Sequence, residues 1–160
     1  MPYIMNWYVD GGCRRNGYQG SIGAAAAIHI AKDGSYTPWT RELPSYSNPT
    51  NQRAEITAII LALEKTIEKS KGLTFRPYLA VTIHSDSSYA VNCMNDWVHK
   101  WSRNGWINAK GHEVVNRDLI EEAYDLDNEV KELGSVTYKW ISREQNALAD
   151  QQCNEVMDEM

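Results

Sequence analysis

Several features that would assign a chain to a particular class of protein are scarce or missing in this sequence. Its 160 residues include three cysteines, Cys13, Cys93 and Cys153, without CxxC or zinc-type spacing, so we expect free, buried thiols. No apolar run is long enough to span a bilayer, and the first residues lack the charged and apolar regions of a signal peptide. The sequence therefore predicts one cytoplasmic, monomeric domain over residues 1–160, large enough to form a core without disulfides.

The sequence also lacks the excess of positive charge that is usual in generic nucleic-acid binders. Its formal net charge is −5 at pH 7. Basic residues predominate over 99–117, whereas acidic residues predominate over 118–132. A set of carboxylates gathered around divalent cations would account for much of the negative charge.

Turn residues and hydrophobic periodicity divide the chain into strands and helices. We predict strands over 3–9, 21–30, 36–43, 79–86 and 136–141, and helices over 51–69, 88–103, 117–132 and from 147 onward. Pro38 predicts an edge position for the third strand, and Thr50 and Asn146 are predicted N-caps. The first three strands form an antiparallel meander in this prediction, and the later alternation indicates an α/β fold.

Two acidic residues lie among apolar neighbours. Asp10 follows a predicted buried strand and precedes Gly11-Gly12, so it is either the first residue of a turn or a metal ligand at a strand end. Glu55 shares its helix face with small and aliphatic side chains, so it lies on the core-facing row or at its margin. An unpaired buried carboxylate is costly, and we therefore expect Glu55 to have a cation or an arginine as its partner.

Two further aspartates occupy element ends where ligands bind. Asp86 ends a predicted buried strand, and Asp150 lies in the first turn of the closing helix, whose N-terminus stabilises negative charge. Carboxylates are the ligands that Mg²⁺ prefers. Asp10, Glu55, Asp86 and Asp150 are therefore candidates for one shared magnesium site.

The sequence around these acids resembles type 1 ribonuclease H over nearly the whole chain and in the same order. The stretches that carry the resemblance are Tyr8-Val-Asp-Gly-Gly-Cys13 with Asn16, Thr50-Asn-Gln-Arg-Ala-Glu55, His84-Ser-Asp-Ser-Ser-Tyr89, Asn95-Asp-Trp-Val-His-Lys-Trp101 with Asn104-Gly-Trp106, and Asn146-Ala-Leu-Ala-Asp150. The resemblance implies a ribonuclease H-like fold with a five-stranded mixed sheet flanked by helices. It also implies an endonuclease that cuts the RNA strand of RNA/DNA hybrids and leaves 3′-hydroxyl and 5′-phosphate ends.

The resemblance further implies roles for individual residues. Asp10 would bridge two Mg²⁺ ions, for which Mn²⁺ can substitute, with Asp150 completing one site and Glu55 and Asp86 the other. Asn16, Asn51 and Gln52 match positions that bind the hybrid in its minor groove. Residues that match positions contacting the DNA strand are Thr50, Tyr89, Trp97, Trp101 and Asn116. Trp97 and Trp101, at i and i+4 of one helix, are equally compatible with core packing.

The sequence departs from many relatives just before the last aspartate. There the family often has a Gly-His loop whose histidine assists catalysis, whereas Trp140-Ile-Ser-Arg-Glu-Gln-Asn146 is shorter and contains no histidine. Arg143 or Glu144 can substitute for it on this reading. Two other functions stay open at this point: a binding module that has lost catalysis, and a domain of a larger reverse transcriptase-type protein.

Overall fold

The computed structural model describes residues 1–160, which form one mixed sheet with helices on both faces. The strands are β1 (Tyr3–Arg14), β2 (Ile22–Ile30), β3 (Tyr36–Glu42), β4 (Leu79–Ser85) and β5 (Gly134–Trp140). They lie in the order β3-β2-β1-β4-β5, in which β1, β2 and β3 are antiparallel neighbours and β4 and β5 run parallel to β1. The predicted five-stranded mixed sheet and the edge position of the Pro38 strand are confirmed.

The helices follow the predicted order. They are α1 (Asn51–Lys71), α2 (Ser88–Asn92), α3 (Val98–Asn104), α4 (Arg117–Lys131) and α5 (Ala147–Asp158). A π-helical turn over Cys93–Trp97 joins α2 to α3, and short 3₁₀ turns precede α1 and α5. Helices α1 and α4 pack together on one face of the sheet, while α5 packs against β2 and β1.

The first strand differs from the prediction at its end. Strand β1 continues through Gly11 and Gly12, which pair with Ala25 and Ala24 of β2, so Asp10 lies inside the strand and no turn follows it. A Cβ atom on Gly11 would lie 2.2 Å from the backbone carbon of Ala54. Gly11 is therefore required because α1 crosses the strand in direct backbone contact, not because the chain bends there.

Helix α1 forms the centre of the core and begins at the predicted cap. The side chain of Thr50 accepts a hydrogen bond from the backbone N–H of Arg53 at 3.1 Å. Apolar side chains of α1, including Ile56, Ile59 and Leu63, are fully buried. Thr57 is also buried, and its hydroxyl donates to the carbonyl of Arg53 at 2.8 Å.

Two charged or polar side chains are buried where the sequence predicts exposure or capping. Asp127 of α4 is 1% exposed and accepts a hydrogen bond from the hydroxyl of Tyr138, while Lys131 forms an ion pair with it. Asn146 precedes α5 but its side chain caps no backbone N–H of that helix. Its amide instead donates to the carbonyl of Val9 at 2.8 Å and thereby joins the start of α5 to β1.

All three cysteines are free, as predicted, although Cys13 is only half-buried. No helix is both long enough and apolar enough to pass through a membrane.

Candidate active site

Asp10 is at the centre of the candidate site. It is 9% exposed in the middle strand of the sheet, directly beside the start of α1. Burial raises the pKa of Asp10 to about 8, and the carboxylates of Asp86, Asp150 and Glu55 add to the increase. Such a shift arises when like charges surround a desolvated acid without a compensating cation.

Glu55 lies in the first turn and a half of α1, at the margin of the core. Its carboxylate accepts a hydrogen bond from the hydroxyl of Ser87 at 2.6 Å. Burial raises the pKa of Glu55, whereas the Ser87 hydroxyl and the positive charge of Arg143 lower it. Glu55 was expected to pair with a cation or an arginine; its direct contact is instead the Ser87 hydroxyl, and Arg143 acts on it only through its charge.

Asp86 and Asp150 complete the acidic group from two other elements. Asp86 follows β4 directly, and Asp150 lies in the first turn of α5, both as predicted. Burial raises the pKa of Asp86, while the charge of Arg143 and the amide of Asn146 lower it. The Asp150 carboxyl contributes to the raised pKa of Asp10.

All four acids line one cleft of about 540 Å³. It is lined by Asp10, Gly11, Gly12, Cys13, Arg14, Asn51, Glu55, Asp86, Arg143, Asp150, Cys153, Asn154 and Met157. No three of its acidic, histidine or cysteine side chains are arranged as a preformed metal cage. The donor chemistry nevertheless fits a hard divalent cation, because four carboxylates share one cleft and raise the pKa of the central one.

Of the three residues predicted for the minor groove, Asn51 lines this cleft, and Asn16 and Gln52 lie next to Asn51. The side-chain carbonyl of Asn16 accepts the backbone N–H of Asn51 at 3.1 Å, which holds the loop after β1 against the N-terminus of α1. Gln52 is the next residue of α1, and its carbonyl lies 3.5 Å from the amide nitrogen of Asn116. Asn51 and Gln52 are both exposed and free to contact a ligand through their amide groups.

The predicted DNA-strand residues form a second group joined to the first through Asn116. The Asn116 amide donates to the hydroxyl of Tyr89 at 3.3 Å. The rings of Tyr89 and Trp97 are 5.9 Å apart, and those of Trp97 and Trp101 are 5.7 Å apart. Trp97 is 37% exposed and available to a ligand, whereas Trp101 packs partly against the core.

Arg53 connects the predicted phosphate-binding residues Thr50 and Asn116. Its guanidinium donates to the side-chain carbonyl of Asn116 at 3.3 Å and to both carboxylate oxygens of Asp118, at 2.9 and 2.7 Å. The contact with Arg53 lowers the pKa of Asp118. The positive charge beside this pair is therefore largely neutralised within the protein.

Sequence reasoning missed several residues that the structure places at the site. Ser87 was predicted only to open a helix, yet its hydroxyl binds Glu55 and also caps α2 through the N–H of Ala90. Trp140 was predicted only as part of the last strand and the loop that follows it, yet its indole N–H donates to the backbone carbonyl of Asp86 at 3.1 Å. Neither contact has a local sequence signal, because each joins elements more than 30 residues apart.

Comparison with known proteins agrees with this geometry. A family model described as RNase H matches residues 2–160. The Ribonuclease H of Anaeromyxobacter dehalogenans (strain 2CP-C) is 38% identical over 124 residues, which are 78% of this chain and 57% of that protein's length. The Ribonuclease H of Francisella tularensis subsp. novicida (strain U112) is 31% identical over 158 residues, covering 96% of this chain and 90% of that protein.

The fold is also that of solved ribonucleases. The crystal structure of LC11-RNase H1 in complex with RNA/DNA hybrid superposes with a TM-score of 0.72 at 22% identity, covering 97% of each chain. That likeness shows the fold, while the family match and the sequence relatives extend over most of the chain. The chain therefore belongs to the RNase H family of ribonuclease H enzymes.

Proposed function

We propose that the protein is an endonuclease that hydrolyses the RNA strand of RNA/DNA hybrids. One observation carries the proposal: the cleft that holds Asp10, Glu55, Asp86 and Asp150 also includes Asn51, the first of the exposed amides along α1. An acidic centre for phosphodiester hydrolysis thus adjoins neutral hydrogen-bonding groups suited to the minor groove of a duplex. Single-stranded or base-specific recognition would instead call for stacking and base-edge contacts within the cleft itself.

Divalent metal is the cofactor that this donor set fits, with Mg²⁺ as the expected ion and Mn²⁺ as its substitute. Asp10 and Asp150 would hold one ion, and Asp10 with Glu55 and Asp86 a second. When bound, the ions would activate water for attack on the phosphorus and stabilise the departing 3′ oxygen, leaving 3′-hydroxyl and 5′-phosphate ends. The raised pKa of Asp10 supports this assignment, because a cation would relieve the repulsion that causes it.

The side chains around the acids orient them. The Ser87 hydroxyl holds one oxygen of Glu55, so the other oxygen is available to a ligand or to a ribose 2′-hydroxyl. The Asn146 amide fixes the carbonyl of Val9, the residue before Asp10, and thereby couples α5 and Asp150 to β1. These contacts keep the acids on rigid elements, as catalysis by positioning requires.

The two strands of a hybrid would be distinguished on either side of the Gln52–Asn116 contact. Asn16, Asn51 and Gln52 lie on the side of the acids, where a 2′-hydroxyl marks the RNA strand. Tyr89, Trp97 and Trp101 lie beyond Asn116 and offer apolar ring surface to deoxyribose, with Thr50 and Asn116 beside a phosphate. We propose this second group as the channel of the DNA strand.

Arg143 would take the position of the histidine found in the loop of many relatives. It is the one basic side chain besides Arg14 that lines the acidic cleft. Its charge partly offsets the effect of burial, which raises the pKa of both Glu55 and Asp86. Glu144 is exposed and does not line the cleft, so of the two candidates we propose Arg143.

Cleavage of end-labelled RNA/DNA, RNA/RNA and DNA/DNA duplexes, with and without Mg²⁺, tests the proposal. We expect cutting of the RNA strand in the hybrid alone, loss of cutting in EDTA, and products that polynucleotide kinase can label at the 5′ end only after phosphatase treatment. Equal cutting of duplex DNA, or full activity in EDTA, would contradict it. Tight binding of the hybrid without any cutting would instead identify a binding module.

A further inference from the structure

Trp140 is a large exposed aromatic residue in contact with the backbone of Asp86, one of the acids that line the cleft. It is the last residue of β5, and 54% of it is accessible to solvent. Its indole N–H donates to the backbone carbonyl of Asp86 at 3.1 Å. None of the roles assigned above to the acids, the minor-groove amides or the DNA-strand residues uses this side chain.

The topology of the sheet brings Trp140 to the catalytic edge. Strands β1, β4 and β5 are parallel neighbours, so their C-terminal ends meet at the same edge of the sheet. Ser85 of β4 is paired with Trp140, and Asp86 follows immediately. With strands about 4.8 Å apart, Trp140 lies one strand from the strand that ends at Asp86 and two strands from the one that contains Asp10.

The hydrogen bond fixes the orientation of the ring without burying it. An exposed indole with a free N–H would rotate among several rotamers, whereas this contact to a backbone carbonyl restrains the side chain. More than half of the residue remains in contact with water, which is costly for an apolar surface of this size. An oriented aromatic face beside a phosphodiester-cleaving centre suits contact with a base or ribose.

We propose that Trp140 is a substrate-contacting residue that packs against a nucleotide of the RNA strand next to the one being cut. The proposal rests on the proposed function, because the strand held at the acids is then RNA. Through its N–H the same side chain also positions the Asp86 peptide. Loss of the ring should therefore weaken hybrid binding, and loss of the N–H alone should affect turnover more than binding.

Binding of a fluorescent RNA/DNA hybrid, measured by anisotropy in an Asp10→Asn background that cannot cut, separates these contributions. We expect Trp140→Ala to raise the Kd about tenfold, as for loss of one aromatic stacking contact. Trp140→Phe, which keeps a ring but no N–H, should bind within about threefold of the parent. Tyr78→Ala is the matched control, because Tyr78 is 60% exposed but precedes β4 at the opposite end of the sheet.

A spectroscopic measurement tests direct contact. With 2-aminopurine placed at successive positions of the RNA strand, one position near the scissile phosphate should change its fluorescence on binding, and Trp140→Ala should abolish that change. Unchanged affinity of Trp140→Ala, or weakening by Tyr78→Ala to the same degree, would overturn the proposal. Circular dichroism of each variant confirms that the fold is retained.

The binding measurement also separates this proposal from the proposed function. Cleavage assays on the chain with Asp10 and Trp140 intact decide whether the protein is a hybrid nuclease. If it binds the hybrid but does not cut it, and Trp140→Ala still weakens binding, the nuclease assignment fails while the Trp140 contact stands. If it cuts the hybrid and Trp140→Ala binds and cuts normally, the Trp140 contact is wrong and the nuclease assignment stands.

Discussion

At the scale of single residues, the candidate site is a group of acids whose charges oppose folding. The pKa of Asp10 is raised from 3.8 to about 8 because the carboxyl is buried among other carboxylates. The folded protein therefore binds a proton at Asp10 that the unfolded chain has already released between about pH 4 and pH 8. It follows that the contribution of Asp10 to stability is complete below pH 4 and is lost as the pH rises towards 8.

Asp10→Asn should accordingly abolish cleavage while stabilising the metal-free protein at high pH. One pKa unit corresponds to about 1.4 kcal/mol, and we expect a gain of at least ~1 kcal/mol at pH 8. The measurement is thermal unfolding in EDTA from pH 4 to pH 8, with both variants expected to coincide near pH 4. A lower Tm for Asp10→Asn at pH 8 would show that Asp10 is not crowded by other carboxylates.

A second residue-scale prediction concerns the charge of Arg143. Arg143→Gln removes a cation that lowers the pKa of Glu55 and Asp86, so both pKa values should rise further above their usual range. Carboxyl ¹³C NMR titration of the metal-free protein measures this directly, and cleavage at limiting Mg²⁺ should lose activity first on the acidic side of its pH profile. Glu144→Gln is the control, since Glu144 lies outside the cleft. A uniform loss of activity at every pH, with unchanged carboxyl titrations, would assign Arg143 to substrate contact only.

A residue of the site could be predicted from the sequence where its neighbours along the chain mark its position, and could not where its position depends on contacts between distant elements. Asp10, Glu55, Asp86 and Asp150 could be recognised because each lies beside a strand or helix pattern written in its own neighbours. The hydroxyl of Ser87 on Glu55 and the indole of Trp140 on Asp86 could not, because they join elements that approach only after the sheet has formed. Polar contacts between distant elements leave no periodicity in the sequence.

At the scale of elements, the crossing of α1 over β1 decides where Glu55 lies relative to Asp10. A Cβ atom on Gly11 would lie 2.2 Å from the carbonyl carbon of Ala54 and 2.4 Å from the backbone nitrogen of Glu55. Because glycine is rare within strands, the strand was predicted to end before Gly11-Gly12, where the backbone would either bend or be approached closely by another segment. The structure shows that close packing of a helix outweighs this preference, since the strand continues to Arg14.

Gly11→Ala should therefore move α1 away from β1 and separate Glu55 from Asp10. Overpacking of this kind costs about 1–3 kcal/mol, and cleavage should fall more steeply than stability because the acids lose their mutual positions. Gly72→Ala is the control, because a Cβ atom there meets only ordinary contacts of 3.5 Å or more. Urea unfolding and cleavage rates measure both effects. Full activity in Gly11→Ala would show that the contact between α1 and β1 does not set the geometry of the site.

An irregular helical turn lies among the aromatic residues Tyr89, Trp97 and Trp101. The π-helical turn over Cys93–Trp97 interrupts the helix between Tyr89 and Trp101. A π turn adds a residue to the usual spacing, and such turns are frequent at functional sites. Trp97 and Trp101, at i and i+4, still share a face, because their rings are 5.7 Å apart, with Trp97 37% exposed and Trp101 packed partly against the core.

At the scale of the whole molecule, a protein with a net charge of −5 is proposed to bind a polyanion, so the positions of its positive charges matter. The acids of the cleft repel phosphates until cations are bound, and the positive charge of Arg53 is already held by Asp118. Arg117 is likewise paired, with Glu113 and Glu121. Unpaired cations remain on the segment after α2, where Lys100, Arg103 and Lys110 are exposed and form no ion pair.

Lys110 projects from a short, ordered hairpin that is suited to contact the duplex away from the acids. The Asn108 side chain accepts the backbone N–H groups of Lys110 and His112, both at 3.0 Å, and Ile107 pairs with Glu113. Trp106 anchors the base of this hairpin, because it is buried and its ring lies 6.1 Å from that of Tyr124. A rigid loop with one unpaired lysine predicts a single phosphate contact.

Lys110→Gln should therefore weaken hybrid binding more at low salt than at high salt. Each phosphate contact contributes about 0.7–0.9 to the magnitude of the slope of log K against the log of the salt concentration. We therefore expect Lys110→Gln to reduce that magnitude by about the contribution of one contact. Lys32→Gln makes the same chemical change in an exposed lysine at the far end of the sheet and should leave the slope unchanged. Binding is measured with the Asp10→Asn protein from about 50 to about 300 mM salt, a range over which the salt dependence that counterion release causes is measurable. If both lysine variants reduce the slope equally, the protein attracts the hybrid through its overall field and the hairpin forms no specific contact.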